Sequence, residues 1–115
     1  MLTIWLAASV NFYPPPIAET TMQASTYGQE FQGHKMANGE RFDPEKMVVA
    51  HRSLPLGTMI LLINPCNDKK VTAIVKDRGP YVRGRHIDLS TGVARKMGLK
   101  MGKKGTAPVI VQVLE

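Results

Sequence analysis

The sequence predicts a mainly β fold: a compact barrel of short strands with one short helix and an irregular N-terminal extension. Short apolar runs rich in β-branched residues alternate with Gly, Pro and Asn turns beyond residue 22. Some of these runs, such as residues 58–63, are apolar on both faces, as expected where strands fill a small barrel. Only one stretch has a helical period. The 115 residues suffice for one domain with a single core.

Residues 1–22 are predicted to form an apolar and Pro-rich extension that precedes a domain at residues 23–115. Leu2–Val10 is apolar and ends in small residues, similar to the core of a signal peptide, although no basic residue precedes it. Pro14–Pro16 predicts a stiff, extended linker. Two interpretations stay open: a degenerate signal, or a segment that docks onto other subunits. No run reaches the roughly twenty apolar residues that a transmembrane helix needs.

The elements of the domain follow in order along the chain. A long structured loop is predicted at residues 29–46, where several Gly and Asn breaks occur. The helix is predicted to begin after Ser90, a good N-cap, and to stop at Gly98, with Val93, Ala94 and Met97 as its apolar stripe. The predicted strands are residues 24–28, 47–50, 58–63, 69–76 and 107–114.

Charge and cysteine content narrow the classes of function. The net charge is +6, and every Lys and Arg lies from Lys35 onward. A basic domain suits a polyanion such as nucleic acid, anionic lipid or a wall polymer. A solvated, solubilising face explains the charge equally well, so no nucleic-acid partner is predicted. Cys66 is the single cysteine, which excludes an intrachain disulfide.

Two carboxylates, Asp77 and Asp88, carry the strongest chemical signal. Each is predicted to end a strand-like run, and turn-forming and basic residues lie between them. A carboxylate held rigidly at a cleft is what acid/base work on a sugar bond requires. Asp77 is the first candidate for that work. The alternative is a turn residue whose side chain bonds the backbone near Gly79.

Five short blocks together resemble a known family. They occur in the family's order and spacing over roughly four-fifths of the chain, which resembles the double-psi β-barrel domain of the rare lipoprotein A type, the septal lytic transglycosylases of bacteria. A more distant resemblance is to expansins. The blocks are residues 24–28 (ASTYG), 36–42 (MANGERF), 50–58 (AHRSLPLGT), 76–81 (KDRGPY) and 84–90 (GRHIDLS).

The resemblance implies a six-stranded double-psi β-barrel whose two psi-shaped loops flank a sugar-binding groove. It also implies that Glu40, His51 and Asp77 are the catalytic residues. Asp88 matches a functional Asp of the expansin pattern and is predicted to support them, or else to brace the helix N-terminus through the helix dipole. The expansin pattern has an aromatic residue where this chain has Gly79.

The remaining site predictions concern substrate binding. Tyr27 and Tyr81 are candidate platforms for sugar stacking. Arg78 and Arg85 suit the carboxylates of muramoyl residues. Asn38 and Ser90 complete the substrate-binding candidates. The three His residues lack a metal-ligand spacing with carboxylates, so neither a metal nor another cofactor is predicted.

The function that the resemblance implies is endolytic cleavage of peptidoglycan glycan strands between N-acetylmuramic acid and N-acetylglucosamine, with 1,6-anhydro products. Its place would be the periplasm or cell envelope. One alternative is a non-catalytic, expansin-like glycan-binding module, and another is a structural phage virion (tail) subunit. Family members usually carry a lipoprotein signal and a glycan-binding repeat domain. Neither is recognised here, so a barrel used alone, as in a phage lysis or tail protein, is expected.

Overall fold

A computed structural model describes residues 19–114 and shows six strands in a closed barrel. The strand order around the barrel is β1-β5-β2-β4-β3-β6. The predicted mainly β class, with six strands and one helix, is confirmed. The elements are β1 (Glu19–Tyr27), a 3₁₀ turn (Gln29–Phe31), β2 (Val48–His51), β3 (Met59–Ile63), β4 (Lys70–Asp77), β5 (Ile87–Ser90), α1 (Thr91–Met97) and β6 (Ala107–Leu114).

Strand pairing interleaves the two halves of the chain. β1 pairs with β5 and β2 with β4 in parallel, and the other four pairs are antiparallel. Alternate residues of each strand point inward and fill the barrel. Burial of each branched aliphatic side chain contributes about 1.5–3 kcal/mol of transfer free energy. The fully buried aliphatic residues include Val49, Ile60, Leu62, Val75, Ile87, Leu89 and Val109.

The barrel begins earlier than the predicted boundary at residue 23. β1 starts at Glu19, which lies opposite Gln112, and Met22 lies opposite Val109. Thr20 and Thr21 are β-branched and favour a strand once β6 offers them a partner. Residues 19–22 therefore belong to the barrel and not to the extension. The signal-like or docking role predicted for the extension concerns residues 1–18, which lie outside the described residues.

The single helix has the predicted bounds. Ser90 Oγ accepts a hydrogen bond from the Val93 N–H, and Gly98 ends the helix in the left-handed conformation with φ of 63°. Gly92 allows the helix to lie close to the loop before β2, because a Cβ atom at Gly92 would lie 2.6 Å from the Glu45 carbonyl oxygen. Within residues 19–114, no helix combines the length and apolar character needed to cross a membrane.

The loop at residues 29–46 builds a second, smaller core on the outside of the barrel. Met36 and Phe42 from the loop are buried together with Tyr27, Val48 and Ala50 from β1 and β2. The backbone closes on itself inside the loop, where the Met36 N–H donates to the Glu40 carbonyl at 2.8 Å. This covering loop brings the predicted site residues of the chain's first half against the strands.

Candidate active site

Four neighbouring strands bring the two predicted carboxylates into one row. Ser25 of β1 lies opposite Asp88 of β5, and Asp88 lies opposite Ala50 of β2. Ala50 in turn lies opposite Asp77 of β4. Asp77 and Asp88 are therefore two strand spacings apart, about 10 Å at the backbone, with Ala50 between them in the row.

A β-bulge turns Asp77 toward this row. Val71, Ala73 and Val75 of β4 point into the barrel, so regular alternation would also point Asp77 inward. The pairing of β2 with β4 shifts between Val49 and Ala50, so that Ala50 lies opposite Asp77. One extra residue in a strand reverses the side on which the next residue projects. The bulge thus places this carboxylate on the outer face, beneath the covering loop.

The Asp77 carboxylate is held by the backbone. Its Oδ1 accepts hydrogen bonds from the N–H groups of Ala37 and Arg78, both at 2.9 Å. The bond from Ala37 links the covering loop to the end of β4. The local bond runs to Arg78 and not to the Gly79 region that the turn interpretation predicted. Oδ2 has no hydrogen-bond partner among residues 19–114, which leaves this oxygen available for chemistry.

Arg78 braces the turn that follows β2. One nitrogen, Nη1, donates to the carbonyls of His51 at 3.1 Å and Leu54 at 2.7 Å. No ion pair joins Arg78 to Asp77 in the described part of the chain. Two hydrogen bonds from Nη1 thus fasten Arg78 to the turn after β2, and its predicted substrate-binding role stays a prediction.

Asp88 lies within β5, not at its end as predicted, and it is half-buried. Burial raises the pKa of Asp88, and the nearby Asp77 adds to that rise. A hydrogen bond from the Ser25 hydroxyl and the charge of Arg85 oppose it. Ser90 caps the helix, whereas the side-chain hydrogen bond of Asp88 is to Ser25, and a bracing role of Asp88 through the helix dipole stays a prediction.

Glu40 lies at the exposed rim of the site. Its carboxylate forms an ion pair with Lys76 at 2.7 Å, and the hydrogen bond from Lys76 lowers the pKa of Glu40. Asn38, predicted to bind substrate, instead shapes this turn: its Oδ1 accepts from the Glu40 N–H, and its own N–H donates to the Lys76 carbonyl. The contacts of Glu40 and Asn38 fasten the covering loop to β4.

His51 is oriented by the turn that follows β2. Its Nδ1 accepts hydrogen bonds from the N–H groups of Ser53 at 3.1 Å and Leu54 at 3.0 Å. Burial lowers the pKa of His51, and the charges of Arg52 and Arg78 lower it further. The imidazole is therefore neutral near pH 7, with its proton on Nε2. Nε2–H is a donor that the backbone does not use.

Tyr27 is buried and does not offer a stacking surface, contrary to the prediction. Only 8% of the residue is exposed. Its ring stacks on Phe42 at 4.3 Å between centroids and contacts the edge of Phe31 at 6.0 Å. Ser90, another predicted substrate contact, is also buried, and its hydroxyl donates to the Lys46 carbonyl at 2.6 Å. Both residues face protein.

Tyr81 and Arg85 keep the exposure that a binding role needs. Tyr81 is 75% exposed, at the loop between β4 and β5. Arg85 lines a groove of about 600 Å³ together with Arg83 and Lys104, and its charge reaches Asp88. One Arg85 nitrogen donates to the Lys104 carbonyl at 3.3 Å. A basic groove therefore adjoins the Asp88 end of the row.

Sequence reasoning missed two partners of the carboxylates. Ser25 donates to Asp88, and Ala37 donates its N–H to Asp77. Ser25 and Tyr27 are two residues apart in a predicted strand, so they are expected to project from the same face, which is a weak signal. An Ala backbone N–H leaves no signal in sequence. Among residues 19–114, no group of three or more His, Cys, Asp or Glu side chains comes together to hold a metal ion.

Comparisons with known proteins agree with this geometry. A family model described as lytic transglycolase matches residues 19–111. A probable endolytic peptidoglycan transglycosylase RlpA from Nostoc sp. is 52% identical over 93 residues, which cover 79% of this chain and 24% of that protein. The protein of the same name from Aquifex aeolicus is 48% identical over 91 residues, which cover 79% of this chain and 39% of that protein. The chain thus spans well under half the length of these relatives.

A solved structure carries the same fold. The apo expansin of Clavibacter michiganensis superposes with a TM-score of 0.62 at 22% identity, over 85% of this chain and 51% of that chain. An identity this low supports the shared barrel alone. The family match and the two bacterial relatives decide the assignment: the chain belongs to the lytic transglycolase family, and its closed six-stranded barrel is a double-psi β-barrel.

Proposed function

We propose that this barrel is an endolytic peptidoglycan transglycosylase that acts in the cell envelope. The observation that carries the proposal is the row of Asp77, Ala50 and Asp88, in which the bulge and strand order hold two carboxylates on one outer face. The family assignment and the relatives named peptidoglycan transglycosylases support it. These bacterial relatives lend no support to the phage virion alternative.

The chemistry needs one group that first donates and then accepts a proton. A carboxylic acid protonates the glycosidic oxygen while the bond from C1 of the muramoyl residue to that oxygen breaks. The resulting carboxylate removes the proton of the C6 hydroxyl of the same residue. The C6 oxygen then bonds to C1 and leaves a 1,6-anhydro end. No water enters the products.

Asp77 is proposed as this acid/base group, and Asp88 as its partner. The backbone holds Asp77 by one oxygen and leaves the other free. Asp88 has a raised pKa and so keeps a proton to higher pH than an ordinary carboxyl group. The family resemblance names Asp77, and the surroundings support this division of roles.

Glu40 and His51 are proposed to contact the glycan from the rim. Glu40 is exposed, and His51 offers an Nε2–H donor that can bind a sugar hydroxyl or acetamido oxygen. Tyr81 is proposed to stack on a sugar ring, as its exposure allows. The groove at Arg83, Arg85 and Lys104 suits the carboxylates that alternate along a glycan strand.

The test is digestion of purified sacculi and of amidase-treated glycan strands, followed by mass analysis of the soluble products. The proposal expects anhydromuramoyl ends from the wild-type protein and none above background from Asp77→Asn. Asp68→Asn is the matched control, because Asp68 lies in the turn between β3 and β4 at a φ of 62°, which Asn tolerates. This control is expected to retain wild-type product yield.

Two other outcomes separate the alternatives. Co-sedimentation with sacculi without any cleaved product favours a glycan-binding module of the expansin kind. Products with reducing ends in place of anhydro ends indicate hydrolysis, which would require water in the site. Either result contradicts the proposed lytic transglycosylase.

A further inference from the structure

The Tyr27 hydroxyl is a buried polar group without a partner. Tyr27 Oη is shielded from solvent, and no hydrogen-bond partner for it occurs among residues 19–114. Buried hydroxyl groups are nearly always hydrogen-bonded, since an unpaired one loses its bonds to water without compensation. Phenylalanine in this position would fill the same space without that loss. The retained hydroxyl therefore points to a role beyond packing.

The ring is fixed, so the position of the hydroxyl is fixed as well. Tyr27 stacks on Phe42 with an interplanar angle of 19° and meets Phe31 edge-on. The same cluster contains Met36, Val48 and Ala50. Tyr27 of β1 and Ala50 of β2 belong to this one cluster although β5 lies between their strands, so the Tyr27 side chain lies over β5.

This placement puts the phenol near enough to both carboxylates of the row for their charges to act on it. Ala50 is the residue that lies opposite Asp88 on one side and Asp77 on the other. Burial raises the pKa of Tyr27, and the charges of Asp77 and then Asp88 raise it further. The phenol is thus an O–H donor at every working pH. Both carboxylates keep an oxygen that no hydrogen bond to the described residues occupies.

We propose that Tyr27 is a positioning residue for the Asp77–Asp88 pair, whose O–H group binds the pair when a carboxyl group becomes ionised. Its catalytic consequence rests on the proposed function. When the acid gives its proton to the leaving oxygen, the Tyr27 O–H donates a hydrogen bond to the new carboxylate. When the C6 hydroxyl returns a proton, that bond is released. Tyr27 keeps its own proton throughout.

The charged groups around the hydroxyl are few. Asp77 faces it from β4 and Asp88 from β5, and the charge of Arg85, from the loop before β5, reaches Asp88. The residues packed on the ring from β2 and the covering loop are not ionisable. A donor removed from this position therefore acts first on the two aspartates.

The test is Tyr27→Phe, which deletes the hydroxyl and retains the ring. Carboxyl ¹³C NMR titration of the ligand-free protein follows Asp88 directly, and loss of the donor is expected to raise the pKa of Asp88 further. The rate of anhydromuramoyl release is expected to fall on the order of tenfold, and the alkaline limb of its pH profile, where the general acid loses its proton, is expected to move to higher pH. In acid, where the carboxyl groups are protonated, the Tm is expected to stay equal or increase, because a buried unpaired hydroxyl is removed.

Tyr81→Phe is the control for the titration and the Tm, because it removes a phenol hydroxyl from an exposed site. It is expected to leave both unchanged. An unchanged Asp88 titration in Tyr27→Phe overturns the proposal, as does a lowered Tm with an unchanged pH profile. If the wild-type protein releases no anhydro ends, the proposed function fails, while the titration still decides the role of Tyr27.

Discussion

Asp77 and Asp88 occupy one row of the barrel, yet the protein surrounds them differently. Asp77 lies at the end of β4, where two backbone N–H groups hold one oxygen. Asp88 lies inside β5, half-buried, with a side-chain hydroxyl as its partner and a raised pKa. Two residues of the same type thus acquire different chemistry from burial and from the donors around them.

The two aspartates are also held in place in different ways. The bonds to Asp77 come from the covering loop and the strand end, so its position depends on how the loop is fastened. The position of Asp88 depends on strand pairing, because Ser25 and Asp88 face one another in register. Changes to the loop should therefore affect Asp77 first, and changes to β1 should affect Asp88 first.

The largest expected effect is on activity. Asp77→Asn removes the proposed proton donor and acceptor, and the rate of anhydromuramoyl release should fall by about 10²–10⁴-fold. Asp88→Asn changes only the proposed partner of that group, so a smaller loss, on the order of tenfold, is expected. Rates are measured on amidase-treated glycan strands at equal concentrations of folded protein. Equal losses from the two variants would contradict the proposal that Asp77 is the acid/base group and Asp88 its partner.

The second prediction concerns the hydroxyl that binds Asp88. Ser25→Ala should raise the pKa of Asp88 further, because the hydrogen bond from Ser25 lowers it. The free energy of unfolding should fall by about 1 kcal/mol. Carboxyl ¹³C titration and urea denaturation measure the two effects. Thr26→Ala, on the exposed face of the same strand, is the control and should change stability by less than about 0.5 kcal/mol.

The third prediction is a pH dependence of stability. Burial raises the folded-state pKa of Asp88 above its unfolded value, so the ionised carboxylate destabilises the folded state at pH values above the folded pKa. This cost disappears as the pH falls through the folded pKa toward the ordinary value of about 3.9. Asp88→Asn should therefore have a higher Tm than the wild-type protein at neutral pH, and the difference should vanish in acid.

Thermal unfolding of both proteins over a series of buffers provides the measurement. A Tm difference that stays constant with pH, or that grows in acid, would contradict the raised pKa of Asp88. Asp68→Asn, in an exposed turn, should follow the wild-type protein throughout.

The smallest expected effect belongs to the ion pair at the rim. Glu40→Gln and Lys76→Met each break an exposed pair that water screens, so the Tm should change by no more than the error of measurement. If activity falls with Glu40→Gln but not with Lys76→Met, Glu40 contacts the glycan itself. Equal losses from both variants would show that the pair acts only by fastening the loop.

Much of the fold could be predicted from local patterns. The β6 strand and the α1 helix have their predicted bounds, because an apolar run and an N-cap with a Gly stop are local signals. The start of β1 was predicted too late, since Thr20 and Thr21 form a strand through pairing with β6. Pairing between strands that are distant in sequence cannot be predicted from a local stretch of about ten residues.

Some features of the site could likewise be predicted from local sequence, and others could not. Exposure of Tyr81 agrees with its prediction, since a Gly-Pro turn places its neighbours at the surface. Burial of Tyr27 and Ser90, and the use of Arg78 and Asn38 as braces, were not predictable from residue type. Each depends on which distant backbone group lies within reach.

The sequence by itself determined the class of the fold, its helix, most strand positions and the family, because these follow from periodicity, turn residues and short ordered blocks. Only the tertiary structure decided what the two aspartates are. The bulge at β2 and β4 turned Asp77 from the core to the outer face, and strand pairing set Ser25 on Asp88. A pKa depends on burial and on the nearest donors and charges, and long-range packing decides all three.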